Sequence, residues 1–169
     1  VRLVYKPHPR VTTSVDPVIS AAHRQIVGLL EAQQAQDPAA GHRVMTDADI
    51  LAVFPGCDLM ITDVSSVGLD FLYLHADKPL FITDRQADRI TLLRDVPVSR
   101  CADVVDVATI GSLRDVLAAR LTHDEHRAAR EATRRHYFDD VRAGESTERF
   151  VRAVADLVTL RQRLARGRG

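Results

Sequence analysis

The amino-acid sequence predicts an α/β protein with a parallel sheet and helices on both faces. Short apolar segments alternate along the chain with longer segments whose apolar residues recur at helical spacing. Turn-forming pairs separate them, as at Asp16-Pro17, Asp37-Pro38 and Pro55-Gly56. With 169 residues, 46% of them hydrophobic, the chain is long enough to form one domain with a substantial core. We therefore interpret residues 1–169 as a single α/β domain.

The first third of the chain predicts two strand–helix pairs. Prolines follow the first strand, end it and hold the next residues extended. A helix then opens where aspartate precedes proline, because aspartate caps helices and proline suits the first helical position. The predicted elements are a strand over 1–5, a helix from Asp16-Pro17 to Asp37, a strand over 43–45, and a helix capped by Thr46-Asp47 that carries Ile50, Leu51 and Val53.

The rest of the chain continues the alternation. The apolar run from Leu59 to Ile61 predicts a buried strand, and Val67, Phe71 and Leu74 recur at helical spacing directly after it. The predicted elements are strands over 58–62, 78–83 and 104–105, and helices over 65–75, within 84–93, and over 110–121, 124–137 and 145–163.

Composition and charge exclude several kinds of partner and location. Lys plus Arg and Asp plus Glu number 23 each, whereas a general nucleic-acid coat needs a basic excess, so we expect no nucleic-acid partner. No apolar run approaches the ~20 residues that cross a bilayer, and no signal-peptide pattern is present. The cysteines, Cys57 and Cys101, lack metal-like spacing and suit a reducing compartment. We expect a cytoplasmic protein that needs neither metal nor cofactor.

One polar cluster lies between the 58–62 strand and the 65–75 helix. It consists of Thr62, Asp63, Ser65 and Ser66. A helix N-terminus offers unpaired N–H groups and the positive end of the helix dipole, and together with small hydroxyls it suits a phosphate. A single serine would be enough for a helix cap. Four small polar residues in five positions therefore favour a ligand site over a cap.

A second cluster follows the first predicted strand. His8 lies between Pro7 and Pro9, which restrict how its imidazole is presented, and Lys6 and Arg10 add positive charge on either side that would attract a phosphate. Histidine titrates near neutral pH and can donate to a phosphate, protonate a leaving group or accept a proton. The alternative is a surface turn with an incidental histidine. Its place after a strand favours ligand binding, because open α/β sheets bind ligands outside the carboxyl ends of their strands.

Taken together, these motifs resemble the CDP-glycerol glycerophosphotransferase family, whose members build wall teichoic acid and related polymers. The matching segments occur in order over nearly the whole chain: Lys6-Pro7-His8-Pro9, Thr46 to Leu51, Asp58 to Val67, Asp70-Phe71, Lys78 to Phe81, and Gly144 to Arg149. The chain departs from the family pattern at Val64, where tyrosine is usual, and over residues 85–90, which lack the usual downstream tyrosine and Arg-Gly pair.

The resemblance implies a GT-B fold of two Rossmann-like halves, with the active site in the cleft between them. The chain resembles the C-terminal, nucleotide-binding half without its first strand, and would be a fragment of a longer two-domain enzyme. The implied reaction transfers glycerol phosphate from CDP-glycerol to the hydroxyl end of a polyol-phosphate chain and releases CMP. By the same resemblance, His8 is the catalytic residue facing the donor pyrophosphate, and the phosphate cradle consists of Thr62, Asp63, Ser65 and Ser66.

Other interpretations remain open at this point. A GT-B glycosyltransferase that uses another nucleotide sugar for a cell-surface polymer would share the pyrophosphate cradle, whereas a non-catalytic α/β module would bind no nucleotide. The base that accepts the acceptor's proton would come from the N-terminal half, so we expect the isolated chain to bind nucleotide without turnover.

The carboxyl end of the chain is basic. Arginines recur through the tail, residues 161–169, and indicate attraction to an anionic membrane surface, with a frayed, solvated terminus as the alternative. We therefore expect a cytoplasmic enzyme with peripheral contact to the inner face of the cell membrane.

Overall fold

The computed structural model describes residues 1–142 and 144–166 of the chain. The fold is α/β and Rossmann-like, and the strands pair in parallel, which confirms the predicted fold class. The chain forms two compact units, Val1–Gly56 and Cys57–Gly169. The interpretation of residues 1–169 as one nucleotide-binding domain stays a prediction.

The first unit alternates strands and helices as the sequence predicts. Its strands pair in parallel, with Val4 opposite Arg43 and Tyr5 opposite Val44. Short 3₁₀ turns at Pro38–Ala40 and Phe54–Gly56 connect or end its elements. The elements are β1 (Val4–Tyr5), α1 (Pro9–Thr12), α2 (Pro17–Gln36), β2 (Arg43–Val44) and α3 (Ile50–Val53).

Helix α2 begins where the Asp-Pro pair predicts. The carboxylate of Asp16 accepts the N–H groups of Val18 and Ile19 at 2.8 and 3.4 Å. The face predicted to be apolar is only partly buried, because Leu30 is 9% exposed whereas Leu29 is 60% exposed. The helix therefore owes its start to local capping more than to a fully buried stripe.

The predicted cap of α3 is wrong by two residues. Asp49 caps the helix, and its carboxylate accepts the N–H of Leu51 at 3.0 Å. Thr46 and Asp47 instead bond to each other, with the threonine hydroxyl donating to the carboxylate at 3.1 Å. The helix is therefore capped by Asp49, the aspartate that directly precedes it.

The second unit contains a parallel sheet and most of the helical residues. Within the described part of this unit the strand order is β3-β4-β5, so β4 lies in the middle. A 3₁₀ segment at Pro97–Cys101 precedes the last strand, and another at Ile110–Ser112 follows it. The elements are β3 (Met60–Thr62), α4 (Ser66–Leu74), β4 (Leu80–Thr83), α5 (Arg89–Asp95), β5 (Asp103–Val105), α6 (Leu113–Thr122), α7 (Arg127–Phe138) and α8 (Glu145–Arg166).

The core of this unit centres on β4. Leu80 and Phe81 are fully buried, and Phe71 of α4 is 1% exposed. Strand β3, predicted as buried, lies at the edge of the sheet among the described strands, and its Ile61 is 42% exposed. An edge strand has one strand neighbour instead of two, which is why an equally apolar sequence remains partly accessible here.

Helix α7 is anchored by a buried guanidinium. Arg130 is 1% exposed, pairs with Asp124, and donates from Nε to the carbonyl of Ala76 at 3.1 Å. Arg134 of the same helix donates from Nε to the carbonyl of Tyr73 at 2.9 Å. These bonds satisfy two carbonyls at and just beyond the end of α4, where a helix leaves its last carbonyls without partners.

Helix α8 extends beyond its predicted end at residue 163. It continues to Arg166, so part of the predicted basic tail is helical. Residues 167–169, the rest of that tail, lie outside the described residues, as does Ala143. Across the described segments, no helix has the length and apolarity that crossing a membrane requires.

Candidate functional site

The loop from β3 to α4 presents two serines at a helix N-terminus. Ser65 is the N-cap residue of α4, with an extended backbone, yet its hydroxyl makes no capping hydrogen bond within the described residues. Its Oγ lies 3.4 Å from Oγ1 of Thr62, the last residue of β3. Ser66 begins the helix and is exposed. Because the first N–H groups of a helix lack acceptors within it, this end of α4 combines N–H donors with hydroxyls that are not needed for capping.

Close packing of α4 against β3 sets the position of Thr62. Gly68, in the first turn of α4, is buried, and a Cβ atom at this position would lie 3.2 Å from Cγ2 of Thr62. Glycine therefore lets the helix approach the strand end closely. The threonine hydroxyl is held beside Ser65 as a result.

A second loop meets this one at the same edge of the sheet. Thr62 of β3 lies opposite Ile82 of β4, so the residues that follow the two strands are neighbours at their carboxyl ends. Asp84 directly follows β4, and its N–H donates to the carbonyl of Val105 at 2.8 Å. The sheet thus continues one residue past β4 and fixes the backbone of Asp84.

A cavity of about 340 Å³ opens between these loops and helix α5. Asp63 and Val64 contribute from the first loop, and residues 83–86 from the second. Val64 and the start of segment 85–90, where the resemblance leads us to expect departures from the family pattern, both line the cavity. The volume lies within the range of small-molecule sites.

The carboxylates that line the cavity differ in how they are satisfied. Asp88 caps α5 by accepting the N–H of Thr91 at 3.1 Å, and this backbone bond lowers the pKa of Asp88. Asp95 accepts two hydrogen bonds from Arg94, at 2.7 and 2.9 Å, and these lower the pKa of Asp95. Both are thus stabilised as carboxylates by partners within the chain.

Asp84 is satisfied at one oxygen only. Asp84 is buried, with 8% of its surface exposed. Its Oδ1 accepts a hydrogen bond from the N–H of Gln86 at 3.0 Å. Among residues 1–142 and 144–166, Oδ2 has no hydrogen-bond partner. From the sequence, Asp84 is only the first residue of the segment 84–93, within which a short helix is predicted. Its position after a strand, matching that of Asp63 after the neighbouring strand, is the signal that would have identified it.

His8 lies in the first unit, where it caps the short helix α1. Its Nδ1 accepts the N–H of Arg10 at 3.1 Å, and the side chain is exposed. An accepting Nδ1 places the proton of the neutral ring on Nε2, so Nε2–H is available as a donor. A second proton on the ring would occupy Nδ1 and break the bond to Arg10.

The two flanking cations behave differently. Lys6 donates from Nζ to the carbonyl of Thr46 at 2.8 Å, so its ammonium already has a partner in the first unit. Arg10 is exposed. These residues and His8 belong to the unit 1–56, whereas Thr62, Asp63, Ser65 and Ser66 belong to the unit that begins at Cys57. That both clusters bind one ligand stays a prediction.

The described part of the chain contains no cluster of side chains suited to binding a metal ion. No three His, Cys, Asp or Glu side chains of residues 1–142 and 144–166 are grouped so that they could hold an ion.

Comparison with known proteins bears on both polar clusters. The model of the family described as CDP-glycerol:poly(glycerophosphate) glycerophosphotransferase matches residues 1–156, a span that contains the two clusters and the cavity. The chain has no significant match among curated proteins or among solved structures. The family match covers well over half of the sequence. The chain therefore belongs to the CDP-glycerol:poly(glycerophosphate) glycerophosphotransferase family.

Proposed function

We propose that the chain forms the donor-nucleotide site of an enzyme that transfers glycerol phosphate from CDP-glycerol to the hydroxyl end of a polyol-phosphate chain. The family supports a glycerophosphotransferase of teichoic acid synthesis. The observation that carries the donor site is the hydroxyl of Ser65, which stands at the N-terminus of α4 without capping it. Thr62 and Ser66 place two more hydroxyls around the same helix end.

The proposed chemistry is a phosphoryl transfer. The acceptor hydroxyl oxygen bonds to the phosphorus that carries glycerol, the bridging P–O bond breaks, and its electron pair leaves on CMP. Such a reaction asks the protein mainly for positioning and for donors to the charged phosphate oxygens. The N–H groups and hydroxyls at α4 would supply those donors.

His8 acts in this proposal as a hydrogen-bond donor to the donor pyrophosphate. Its Nδ1 is engaged by the N–H of Arg10, so the neutral ring donates from Nε2. A general acid would have to begin as imidazolium and lose the bond to Arg10. The geometry therefore favours charge stabilisation over proton transfer. Lys6 and Arg10 would add positive charge nearby, Lys6 while bonded to Thr46.

The proposed base is not among these residues. By analogy with a GT-B enzyme, the group that takes the acceptor's proton comes from an N-terminal half, and we expect the 169-residue chain alone to bind nucleotide without turnover. Measurable release of CMP from CDP-glycerol and an acceptor by this chain would contradict that expectation.

Helix α8 supports peripheral contact with an anionic membrane surface. Apolar side chains including Phe150, Val154 and Leu157 are 69%, 42% and 65% exposed, and basic residues occupy the last turn of the helix. Amphipathic helices with basic faces lie in the membrane interface. Co-sedimentation with anionic but not with neutral vesicles is the expected result, and equal recovery with both would count against it.

Nucleotide titration tests the donor assignment. We expect CDP to bind more tightly than UDP or GDP in calorimetric titrations of the 169-residue chain. A preference for UDP would favour the second candidate, a glycosyltransferase that uses another nucleotide sugar. The departures at Val64 and 85–90 favour this candidate, because both line the cavity beside the cradle. Failure of every nucleotide to bind would leave a non-catalytic module.

A further inference from the structure

We propose that the cavity beside the cradle binds a vicinal diol of the donor, with Oδ2 of Asp84 as the hydrogen-bond acceptor. This inference rests on the proposed function, since it assigns one part of the same ligand. The ribose and the glyceryl group of CDP-glycerol both carry such a diol, and the experiments below distinguish them.

Burial makes the free oxygen of Asp84 informative. Asp84 is 8% exposed, and Oδ2 has no partner in the described chain although Oδ1 is held by the N–H of Gln86 at 3.0 Å. Buried polar atoms nearly always have a hydrogen-bond partner, so an atom that has none within the described residues calls for one from outside the chain. The backbone bond from Asp84 to Val105 fixes the main chain from which this side chain projects.

The chemistry of the cavity selects an uncharged donor. A phosphate inside the cavity is disfavoured beside Asp84 and Asp88, because Arg85 is the one basic residue among the wall residues given and the nearby Arg94 is bonded to Asp95. A metal ion is disfavoured, because no group of three suitable ligands exists among the described residues and the volume of about 340 Å³ is far larger than an ion. Hydroxyl groups donate to carboxylates without introducing charge.

The position of Asp63 connects the diol site to the phosphate cradle. Asp63 lines the cavity and directly follows Thr62, whose hydroxyl belongs to the cradle. A ligand with phosphates at α4 can therefore extend its hydroxyl-bearing part past Asp63 towards Asp84. Val64 and Leu92 add apolar wall area, which suits the carbon face of a sugar.

Ligand analogues test the proposal without altering the protein. Calorimetric titrations of the 169-residue chain compare CDP with 2′,3′-dideoxy-CDP, and sn-glycerol 3-phosphate with propyl phosphate, each with and without EDTA. Loss of a hydrogen bond to a charged acceptor should weaken binding roughly tenfold to hundredfold. A deficit confined to dideoxy-CDP assigns the ribose, and one confined to propyl phosphate assigns the glyceryl group. Equal affinity within both pairs, or a preference that EDTA removes, overturns the proposal.

Substitution of Asp84 provides the second measurement. Asp84→Asn keeps the side-chain size and an oxygen for Gln86 but replaces the acceptor Oδ2 with an N–H₂ donor. This substitution should reduce the affinity for the diol ligand roughly tenfold or more, and it should change the affinity for the diol-free analogue by no more than about twofold. Asp115→Asn, on the exposed surface of α6, removes the same charge and should change neither affinity. Thermal unfolding establishes that each variant is folded, and if Asp84→Asn is not, the analogue titrations decide.

The possible failures are distinguishable. If Asp84→Asn reduces the affinity for the diol ligand and for its analogue equally, Asp84 only supports the loop. That result contradicts the diol site but not the proposed donor-nucleotide site. Failure of the unmodified chain to bind either CDP or inorganic pyrophosphate removes the proposed function, and the diol site falls with it.

Discussion

Replacing Ser65 and Ser66 together with alanine separates ligand binding from helix capping at the N-terminus of α4. A serine that caps a helix through its side chain contributes about 1 kcal/mol of stability. The hydroxyl of Ser65 makes no such bond, and its 3.4 Å contact with Thr62 is longer than an ordinary O–H···O hydrogen bond. We therefore expect the double variant to lose less than about 0.5 kcal/mol of unfolding free energy.

The expected loss in nucleotide affinity is much larger. Hydrogen bonds to a charged group contribute about 1.5–3 kcal/mol each, so two hydroxyls on a pyrophosphate account for roughly 3–6 kcal/mol. At about 1.4 kcal/mol per factor of ten, CDP should bind at least about 100-fold more weakly. Affinity and stability should therefore respond to the same change by very different amounts.

Two assays and one matched control decide the outcome. Calorimetry gives the dissociation constant for CDP, and urea denaturation gives the unfolding free energy. Ser112→Ala is the control, since Ser112 is likewise an N-cap residue without a side-chain capping bond, at α6. It should leave CDP binding unchanged. Loss of a full capping contribution in the double variant, with CDP affinity intact, would show that the serines serve the helix and not a ligand.

Three further changes test the packing around the site. Gly68→Ala should weaken CDP binding, because the new Cβ would lie 3.2 Å from Cγ2 of Thr62 and displace that threonine. In urea denaturation it should be less stable than Gly28→Ala, because Gly28 has nothing within 4 Å and receives the full helix-propensity gain of about 1 kcal/mol. Arg130→Ala should cost about 3–5 kcal/mol by leaving Asp124 without its buried partner, and a cost below 1 kcal/mol would contradict that role. Burial raises the pKa of the Cys101 thiol, so unfolding free energy should fall as pH rises through the ordinary thiol range, where the unfolded chain releases this proton first. Cys101→Ala should remove that component of the pH dependence, measured by urea denaturation across pH 7–10.

Local sequence patterns predicted the starts of elements where one residue satisfies the backbone by itself. Asp16 before Pro17 begins α2 as expected, since both act within one helical turn. The cap of α3 was placed at Thr46-Asp47 instead of Asp49, because several polar residues precede that helix and sequence alone does not say which one reaches its N–H groups. Ile61 was expected to be buried, but burial of a strand depends on which neighbours it acquires in the sheet.

The sequence by itself determined the α/β class, the alternation of elements and the two polar clusters by which the family is identified. These features depend on the order and spacing of residues along the chain, so they can be recognised without knowing how the elements pack. Only the tertiary structure decided that the hydroxyl of Ser65 is not used as a cap and that Asp84 keeps a buried oxygen without a partner. The surroundings of Asp84 depend on the parallel register of β3, β4 and β5, because that register brings together loops that are about twenty residues apart in sequence.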